Sequence, residues 1–151
     1  MKNRFVAGCF SRNGVGPIRR IQGIMTAVVY KDLLETTMLP YATGSMAKGW
    51  IFQQDNDPKH TSKLIKTWFA KEKVNVLEWP SQSPDLNPIE HLWEQLERQI
   101  RVRSYKNADD LMAGLTEEWS KIPMERLTTL VDSMPSRCAA VIASSGYATK
   151  Y

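Results

Sequence analysis

The sequence has the length of one ordinary folded domain, because 151 residues can bury about 70% of the surface that the unfolded chain exposes. Hydrophobic residues at 42% and charged residues at 24% exclude a disordered, fibrous or membrane protein. The net charge of +4 is compatible with a polyanionic partner such as nucleic acid but does not require one. We therefore expect a single domain over residues 1–151.

The first part of the chain predicts a β-hairpin and then a helix. An apolar stretch over residues 4–10 ends in the turn-forming string SRNGVG, and an extended pattern resumes over residues 17–21. Thr26 can cap a helix whose apolar residues recur at helical spacing. Pro40 lies where such a helix is expected to end.

A strand, a turn and a second helix are predicted for the middle of the chain. The run WIFQQ over residues 50–54 predicts a buried strand whose carboxyl end delivers Asp55. A turn must follow, because Pro58 disfavours helix at Asp57 and Asx side chains bond to nearby backbone. The next apolar residues recur at helical spacing with lysines between them, and residues 74–77 predict another short strand.

The clearest helix follows a proline-rich segment over residues 80–88, in which no regular structure is predicted. Asn87 is predicted as its N-cap and Pro88 as its first helical residue, with apolar residues on one side of the helix after them. Further helices are predicted after Asn107 and Pro123. This order of strands and helices predicts an α/β fold.

The cysteines and the apolar runs exclude several other classes. Cys9 and Cys138 are far apart, and neither belongs to a Cys-x-x-Cys pair or lies near a cluster of histidines. Neither a disulfide framework nor a zinc site is therefore predicted. The N-terminal apolar run is too short for a signal peptide, and no run approaches the ~20 residues of a membrane helix. We expect an intracellular protein.

Two carboxylates in this pattern could carry chemistry. Asp55 ends a predicted strand and Glu90 lies in the first turn of a predicted helix, with 34 residues between them. A strand end and a helix start can converge, and Mg²⁺ prefers carboxylate oxygens, although two-metal sites need several carboxylates. Both residues also have a structural interpretation. Asp55 can stabilise its turn, and Glu90 can form a capping arrangement with Asn87; spacing alone favours this second interpretation.

Basic and aromatic residues also admit two interpretations. Lys63, Lys66, Arg98 and Arg101 could contact DNA phosphates, but such residues usually form a solvated helix face. His60 could be a ligand but is expected to be a solvated residue of a turn or of a helix start. Three tryptophans lie on apolar helical stripes and are expected in the core rather than against bases: Trp68, Trp93 and Trp119.

Two longer strings resemble the second and third catalytic motifs of the Tc/mariner superfamily of DNA transposases. They are GWIFQQDNDPKHTS, residues 49–62, and VLEWPSQSPDLNPIEHLWEQLE, residues 76–97. The string over residues 8–23 and the C-terminal string SMPSRCAAVIASSGYATKY are similar to the family as well. The resemblance implies that Asp55 is the second catalytic aspartate, that Glu90 is the final catalytic carboxylate, and that both bind metal.

The resemblance also implies an RNase H-like fold, which is an α/β fold with a mixed sheet flanked by helices. In the family, the first strand carries the first catalytic aspartate, and this sequence opens at what resembles the second strand. We therefore expect an N-terminally truncated domain that lacks the first strand of the fold. The helix-turn-helix region with which the family recognises DNA ends is expected to be absent as well.

In the family, the carboxylates hold two Mg²⁺ or Mn²⁺ ions, and the reaction is DNA cleavage and strand transfer, which excises and integrates the element. The resemblance therefore implies DNA as the partner and a nuclear location, and it admits a homodimer; no membrane and no small-molecule substrate are expected. Without the first aspartate, we expect weak or absent metal binding and an incomplete active site. Two hypotheses follow: a catalytic domain truncated by gene modelling, or a relic that binds DNA or protein without catalysis.

Overall fold

The structure, a computed structural model, describes residues 6–80, 83, 86–145, 147 and 149–151. The predicted hairpin is present near the N-terminus of the chain. Residues 4 and 5, which belong to that prediction, lie outside the described residues. Its strands are β1 (Val6–Ala7), β2 (Phe10–Ser11), β3 (Gly14–Val15) and β4 (Arg19–Arg20). β1 pairs with β4 and β2 pairs with β3, both antiparallel. Gly16 N–H donates to Cys9 O at 2.7 Å between the two pairs, so they belong to one hairpin.

The helix after the hairpin continues past Pro40. α1 (Ala27–Leu33) is capped by Thr26 as predicted, and a π-helical turn (Leu34–Met38) joins it to α2 (Leu39–Ser45). The expectation that the helix ends at the proline is therefore wrong. In the wider π-turn, the first N–H of α2 bonds to the carbonyl five residues earlier. This turn accommodates a proline, which has no N–H to donate.

A parallel strand pair follows. β5 (Ile51–Phe52) pairs with β6 (Asn75–Val76), and α3 (Lys63–Lys71) connects them. The expectation of a buried strand is wrong for Ile51, which is 56% exposed. Successive strand residues point to opposite faces, and Phe52 is the one that packs on the core.

Helices dominate the C-terminal half: α4 (Ile89–Ile100), α5 (Ala108–Ser120), α6 (Met124–Asp132) and α7 (Met134–Ala143). Asn107 caps α5 as predicted, since its side-chain oxygen accepts hydrogen bonds from two backbone N–H groups. The N-cap of α4 is Pro88, without a side-chain capping bond, so the prediction of Asn87 as the cap is wrong. None of the helices in the described part of the chain has the length and apolar character to cross a bilayer.

The apolar side chains form two cores. The hairpin core lies between the hairpin and α4 to α6, around Trp93 and Trp119, whose stacked rings are 4.9 Å apart. Trp119 Nε1–H also donates to Gly16 O at 2.8 Å, and a Cβ atom at Gly8 would lie 3.2 Å from both rings. The strand-pair core lies between α1, the π-turn, α3 and the parallel pair, and includes Trp68. The prediction that all three tryptophans lie in the core is confirmed.

Candidate active site

Asp55 lies shortly beyond β5, in the predicted turn. The parallel ladder extends one step past the strands, because Leu77 N–H donates to Phe52 O at 2.7 Å. Asp55 Oδ1 accepts a hydrogen bond from Asp57 N–H at 3.2 Å, which makes it the Asx residue of the turn. The same oxygen lies 2.5 Å from His60 Nδ1. The side chain is 44% exposed, so the protein holds a carboxylate that solvent also reaches.

Asp57 closes the turn on itself. Its carbonyl oxygen accepts from His60 N–H at 2.8 Å and from Thr61 N–H at 3.1 Å, and its carboxylate pairs with the Lys59 side chain. Partial burial disfavours the charged form of Asp57, but the hydrogen bonds from Lys59 outweigh it and lower the pKa of the Asp57 carboxyl. Asp57 is therefore a turn-stabilising residue, held in its charged form at neutral pH.

His60 is largely buried, with its side chain 18% exposed, so the expectation of a solvated residue is wrong. Its ring lies on the ring of Tyr30, with centroids 4.1 Å apart. Tyr30 O–H donates to Gln54 Oε1 at 2.7 Å, and Gln54 Nε2 donates to His60 O at 3.2 Å. Burial, and then the charge of Asp55, raise the pKa of Tyr30, so its hydroxyl stays protonated and able to donate. Local sequence patterns did not indicate these contacts, because Tyr30 lies on α1, far along the chain from Gln54 and His60.

Glu90 lies half-buried in the first turn of α4. Its N–H donates to Asn87 O at 3.1 Å, but the N-cap is Pro88 and makes no side-chain bond. The capping role that the sequence offered for Asn87 is therefore wrong. A carboxylate in this first turn is favoured by the positive end of the helix dipole.

A basic environment lies beside Glu90. His91 follows it on α4, and burial, then the positive charge of Arg137, lower the pKa of His91. Arg137 lies on α7 and is itself only 3% exposed. Its Nε donates to Ser133 Oγ at 2.7 Å, and its guanidinium lies 4.6 Å from the centre of the Tyr151 ring. The C-terminal helix thus brings a buried cation toward the start of α4.

Two hydrogen bonds hold the Asp55 turn against the chain that leads into α4. Gln53 Nε2 donates to Leu86 O at 3.2 Å, and Asn56 Nδ2 donates to Trp79 O at 2.7 Å. Asp55 thus lies between two side chains that reach across to the same segment, and α4 begins shortly after that segment. This arrangement favours an approach of the two candidate carboxylates, which stays a prediction.

The donor chemistry of Asp55 and Glu90 fits a hard divalent cation such as Mg²⁺ or Mn²⁺. Two-metal sites surround the ions with more carboxylates than two. Within the part of the chain that the structure describes, no three acidic, histidine or cysteine side chains are grouped so that they could hold a metal ion. The two residues can therefore supply part of such a site.

The four basic residues predicted to contact DNA lie on two helices. Lys63 and Lys66 lie on α3, Arg98 lies on α4, and Arg101 follows its last turn. All four are exposed. Arg101 forms an ion pair with Glu97 one helical turn earlier, which partly neutralises its charge. Contact of these residues with DNA stays a prediction.

Asp55 after a parallel strand pair and Glu90 at a helix start are carboxylates of the kind that can hold hard divalent cations. A family model described as DDE superfamily endonuclease matches residues 3–112. The chain belongs to this family.

The chain is similar to transposases from nematodes of the genus Caenorhabditis. The chain is 54% identical over 146 residues to the Tcb1 transposase of Caenorhabditis briggsae and 53% identical over 146 residues to the Tc1 transposase of Caenorhabditis elegans. Each match covers 97% of this chain and 54% of the relative. The chain thus spans about half the length of the curated relatives it matches, and its family is Tc1/mariner-type transposases.

Solved structures identify the fold. The Mos1 transposase catalytic domain with raltegravir and Mg matches with a TM-score of 0.85 at 19% identity, over 96% of this chain and 76% of that chain. The Mos1 mariner paired-end complex with Mn matches with a TM-score of 0.88 at 20% identity, over 98% of this chain and 47% of that chain. The predicted RNase H-like α/β fold class is confirmed by this likeness.

Proposed function

We propose that residues 1–151 form a single unit of a Tc1/mariner-type transposase catalytic domain, in which Asp55 and Glu90 are the second and the final catalytic carboxylates. The observation that carries the proposal is the position of Asp55, after the parallel strand pair and in a turn bonded across to the segment before α4. The match to the DDE family over residues 3–112 and the identity to Tc1-type transposases support it.

In this proposal, carboxylate oxygens of Asp55 and Glu90 hold Mg²⁺ or Mn²⁺. Such ions lower the pKa of bound water and stabilise charge on a phosphate during in-line attack. The chain's own part is to place the ligands: His60 and the Asp57 N–H bond to the Asp55 carboxylate, and α4 carries Glu90. The Mos1 catalytic domain was solved with Mg and with Mn, which supports these two ions.

The second part of the proposal is that Asp55 and Glu90 do not suffice for cleavage. A two-metal site needs at least one further carboxylate, and the described residues offer no group of three ligands. We expect the 151-residue chain to bind the ions weakly and to leave DNA uncut. We propose that a further ligand comes from another part of a complete transposase.

The proposed partner is DNA, bound through phosphates by Lys63, Lys66, Arg98 and Arg101, with a nuclear location. Base-reading residues are not among them, so binding is expected to be non-specific and to weaken steeply with salt. Mos1 transposase was solved as a paired-end complex with the left transposon end. This supports DNA as the partner, and a complex with paired ends is compatible with the proposed homodimer.

Paramagnetic broadening by Mn²⁺ tests the metal site. In nuclear magnetic resonance spectra of the chain, we expect Mn²⁺ to broaden amides around Asp55 and Glu90 and Glu90→Gln to reduce the effect. Glu125→Gln is the matched control, because Glu125 also lies in the first turn of its helix. If the broadening were the same in Asp55→Asn and in Glu90→Gln as in the wild type, the result would favour the other hypothesis, a transposase relic that does not catalyse.

A nicking assay on supercoiled plasmid tests the incompleteness. We expect no nicking by the 151-residue chain in Mg²⁺ or Mn²⁺. Metal-dependent nicking that disappears in Asp55→Ala would show that some other residue of this chain completes the site, and this part of the proposal would be wrong.

Fluorescence anisotropy with a duplex of arbitrary sequence tests the DNA surface. Each phosphate contact that is lost should reduce the slope of log affinity against log salt by about 0.9. We expect such a reduction in each of the single variants Lys63→Glu and Lys66→Glu. Lys48→Glu changes an exposed lysine outside the proposed surface and serves as the control for net charge; an equal loss in the control would place the DNA elsewhere.

A further inference from the structure

We propose that His60 is a positioning residue: its Nδ1–H fixes the orientation of the Asp55 carboxylate, and Tyr30 and Gln54 hold the imidazole for that purpose. This inference rests on the proposed role of Asp55 as a metal ligand. It assigns a task to three side chains that do not themselves bind metal or DNA in the proposed function.

The first support is the pair of donors on one oxygen. Asp55 Oδ1 lies 2.5 Å from His60 Nδ1 and 3.2 Å from Asp57 N. An ionised aspartate can only accept hydrogen bonds, so the proton of this contact must be on Nδ1. A side-chain donor and a backbone donor on the same oxygen restrict rotation of the carboxylate about its χ angles. The ligand is thereby oriented before any cation arrives.

The second support is that the imidazole itself has little freedom. Its ring lies against Tyr30 at 4.1 Å between centroids, tilted by 32°. The backbone of His60 is held at both ends: its N–H donates to Asp57 O at 2.8 Å, and its carbonyl accepts from Gln54 Nε2 at 3.2 Å. Tyr30 O–H in turn donates to the Gln54 side chain at 2.7 Å. Tyr30 thus restrains His60 directly and through Gln54.

This arrangement has the form in which proteins orient metal-binding side chains. Ligating carboxylates are themselves hydrogen-bonded by residues outside the coordination sphere, and loss of such a partner commonly costs about 10-fold to 100-fold in metal affinity. If His60 only packed against Tyr30, either nitrogen of its ring could carry the proton. If His60 positions Asp55, the proton must be on Nδ1, because Nδ1 is the donor to the carboxylate. The two roles therefore differ in the tautomer and in the response to substitutions that keep or lose one donor.

The tautomer can be measured in the metal-free chain. Ring ¹⁵N shifts should be recorded at about pH 8, above the usual histidine pKa of about 6.5. We expect the proton of His60 on Nδ1. His91, the other of the two histidines in the chain, serves as the internal reference. A His60 ring with its proton on Nε2 and none on Nδ1 would overturn the proposal.

Three substitutions separate the donor from the packing. His60→Asn keeps an amide N–H at the position of Nδ1, His60→Gln moves it further out, and His60→Leu removes it. In the metal-free chain, three-bond couplings should report a single Asp55 χ1 rotamer in the wild type and in His60→Asn, and an averaged one in His60→Leu and His60→Gln. Identical couplings in all four proteins would show that His60 has only a structural role.

The affinity for Mn²⁺ alone gives the functional readout. We expect a loss of about tenfold or more in His60→Leu and His60→Gln, with recovery in His60→Asn. Gln22→Leu, at an exposed residue outside the candidate site, is the control and should keep the wild-type affinity. Equal affinities of folded wild type, His60→Leu and His60→Gln would contradict the proposal; if His60→Leu does not fold by circular dichroism, the Asn and Gln variants decide.

The two levels of the proposal fail separately. Absence of Mn²⁺ broadening in the wild-type chain would count against the proposed metal function. The tautomer of His60 and the rotamer of Asp55 would still decide whether His60 positions this carboxylate, because neither measurement needs the metal.

Discussion

Asp55 and Glu90 are held by different physical means. Asp55 lies in a turn, and its carboxylate is held by a polar contact with His60. Its neighbours Gln53 and Asn56 donate hydrogen bonds to the segment before α4. Glu90 lies on a helix whose inner face is packed in the hairpin core, where Leu92 is 0% and Leu96 is 1% exposed.

This difference separates the two halves of the candidate site energetically. A typical hydrogen bond contributes a net free energy of about 1 kcal/mol, whereas a fully buried leucine loses about 2 to 5 kcal/mol on truncation to alanine. Substitutions under α4 should therefore act on the whole fold. Substitutions around Asp55 should act locally and leave the fold in place.

The largest expected effect is that of Leu92→Ala in the hairpin core. The change should lower the free energy of unfolding by about 2 to 5 kcal/mol, because it leaves a cavity among packed side chains. Urea denaturation followed by circular dichroism measures it. Val102→Ala, at a site 83% exposed, is the control and should stay within about 0.5 kcal/mol of the wild type. A loss below 1 kcal/mol in Leu92→Ala would mean that α4 is not anchored as described.

A smaller effect is expected for Tyr30→Phe, which keeps the ring under His60 and removes the hydroxyl. The Gln54 side chain then loses its donor in a partly buried place, so the free energy of unfolding should fall by about 1 to 2 kcal/mol. Tyr147→Phe, at a side chain 80% exposed, should change nothing measurable. An unchanged unfolding midpoint in Tyr30→Phe would show that the Tyr30–Gln54 bond is unimportant for stability.

Gln53→Leu should act more locally still. It removes the donor to Leu86 O at a net cost of about 0.5 to 1.5 kcal/mol. We expect faster hydrogen exchange of the Glu90 amide while amides late in α4 keep their protection. Gln22→Leu changes an exposed glutamine and provides the control. Uniform loss of protection along α4 would contradict the local role of this bond.

The two cysteines differ in exposure, and the reactivity of Cys9 reports on the strand-pair core. Burial raises the pKa of the Cys9 thiol to about 11, and Cys9 packs on the strand-pair core, whereas Cys138 on α7 is exposed. At about pH 8, near the usual thiol pKa of about 8.5, a thiol reagent should modify Cys138 quickly and Cys9 only slowly. Cys138→Ser isolates the Cys9 reaction, and fast modification of Cys9 in that variant would show that the strand-pair core opens readily.

The raised pKa of Cys9 also predicts that the folded state loses stability at alkaline pH. The folded state holds Cys9 as the neutral thiol up to about pH 11, while the unfolded chain ionises near its ordinary pKa of about 8.5. Ionisation therefore favours unfolding as the pH rises from about 8.5 to about 11. The loss of stability over that range should be smaller in Cys9→Ala than in the wild type, relative to each protein's own value at neutral pH.

The sequence by itself determined the elements that depend on local periodicity and capping. The one-sided apolar pattern predicted α4, the side chains of Thr26 and Asn107 cap their helices as expected, and Asp55 follows a short strand. These features depend on residues within a few positions of one another, since helix faces, caps and turns are built from neighbours in the chain. The motif resemblance added the family, which the match to the DDE superfamily endonuclease family over residues 3–112 confirms.

Only the tertiary structure decided how the candidate site is held. The helix crosses Pro40 through a π-turn, and His60 is buried against Tyr30 instead of lying in solvent. The Asp55 turn is bonded to the segment before α4 through Gln53 and Asn56. Each of these features depends on the local backbone geometry or on contacts between residues distant in the chain. Periodicity cannot predict them, because it records which face of an element is apolar and not which polar side chains meet when the elements pack.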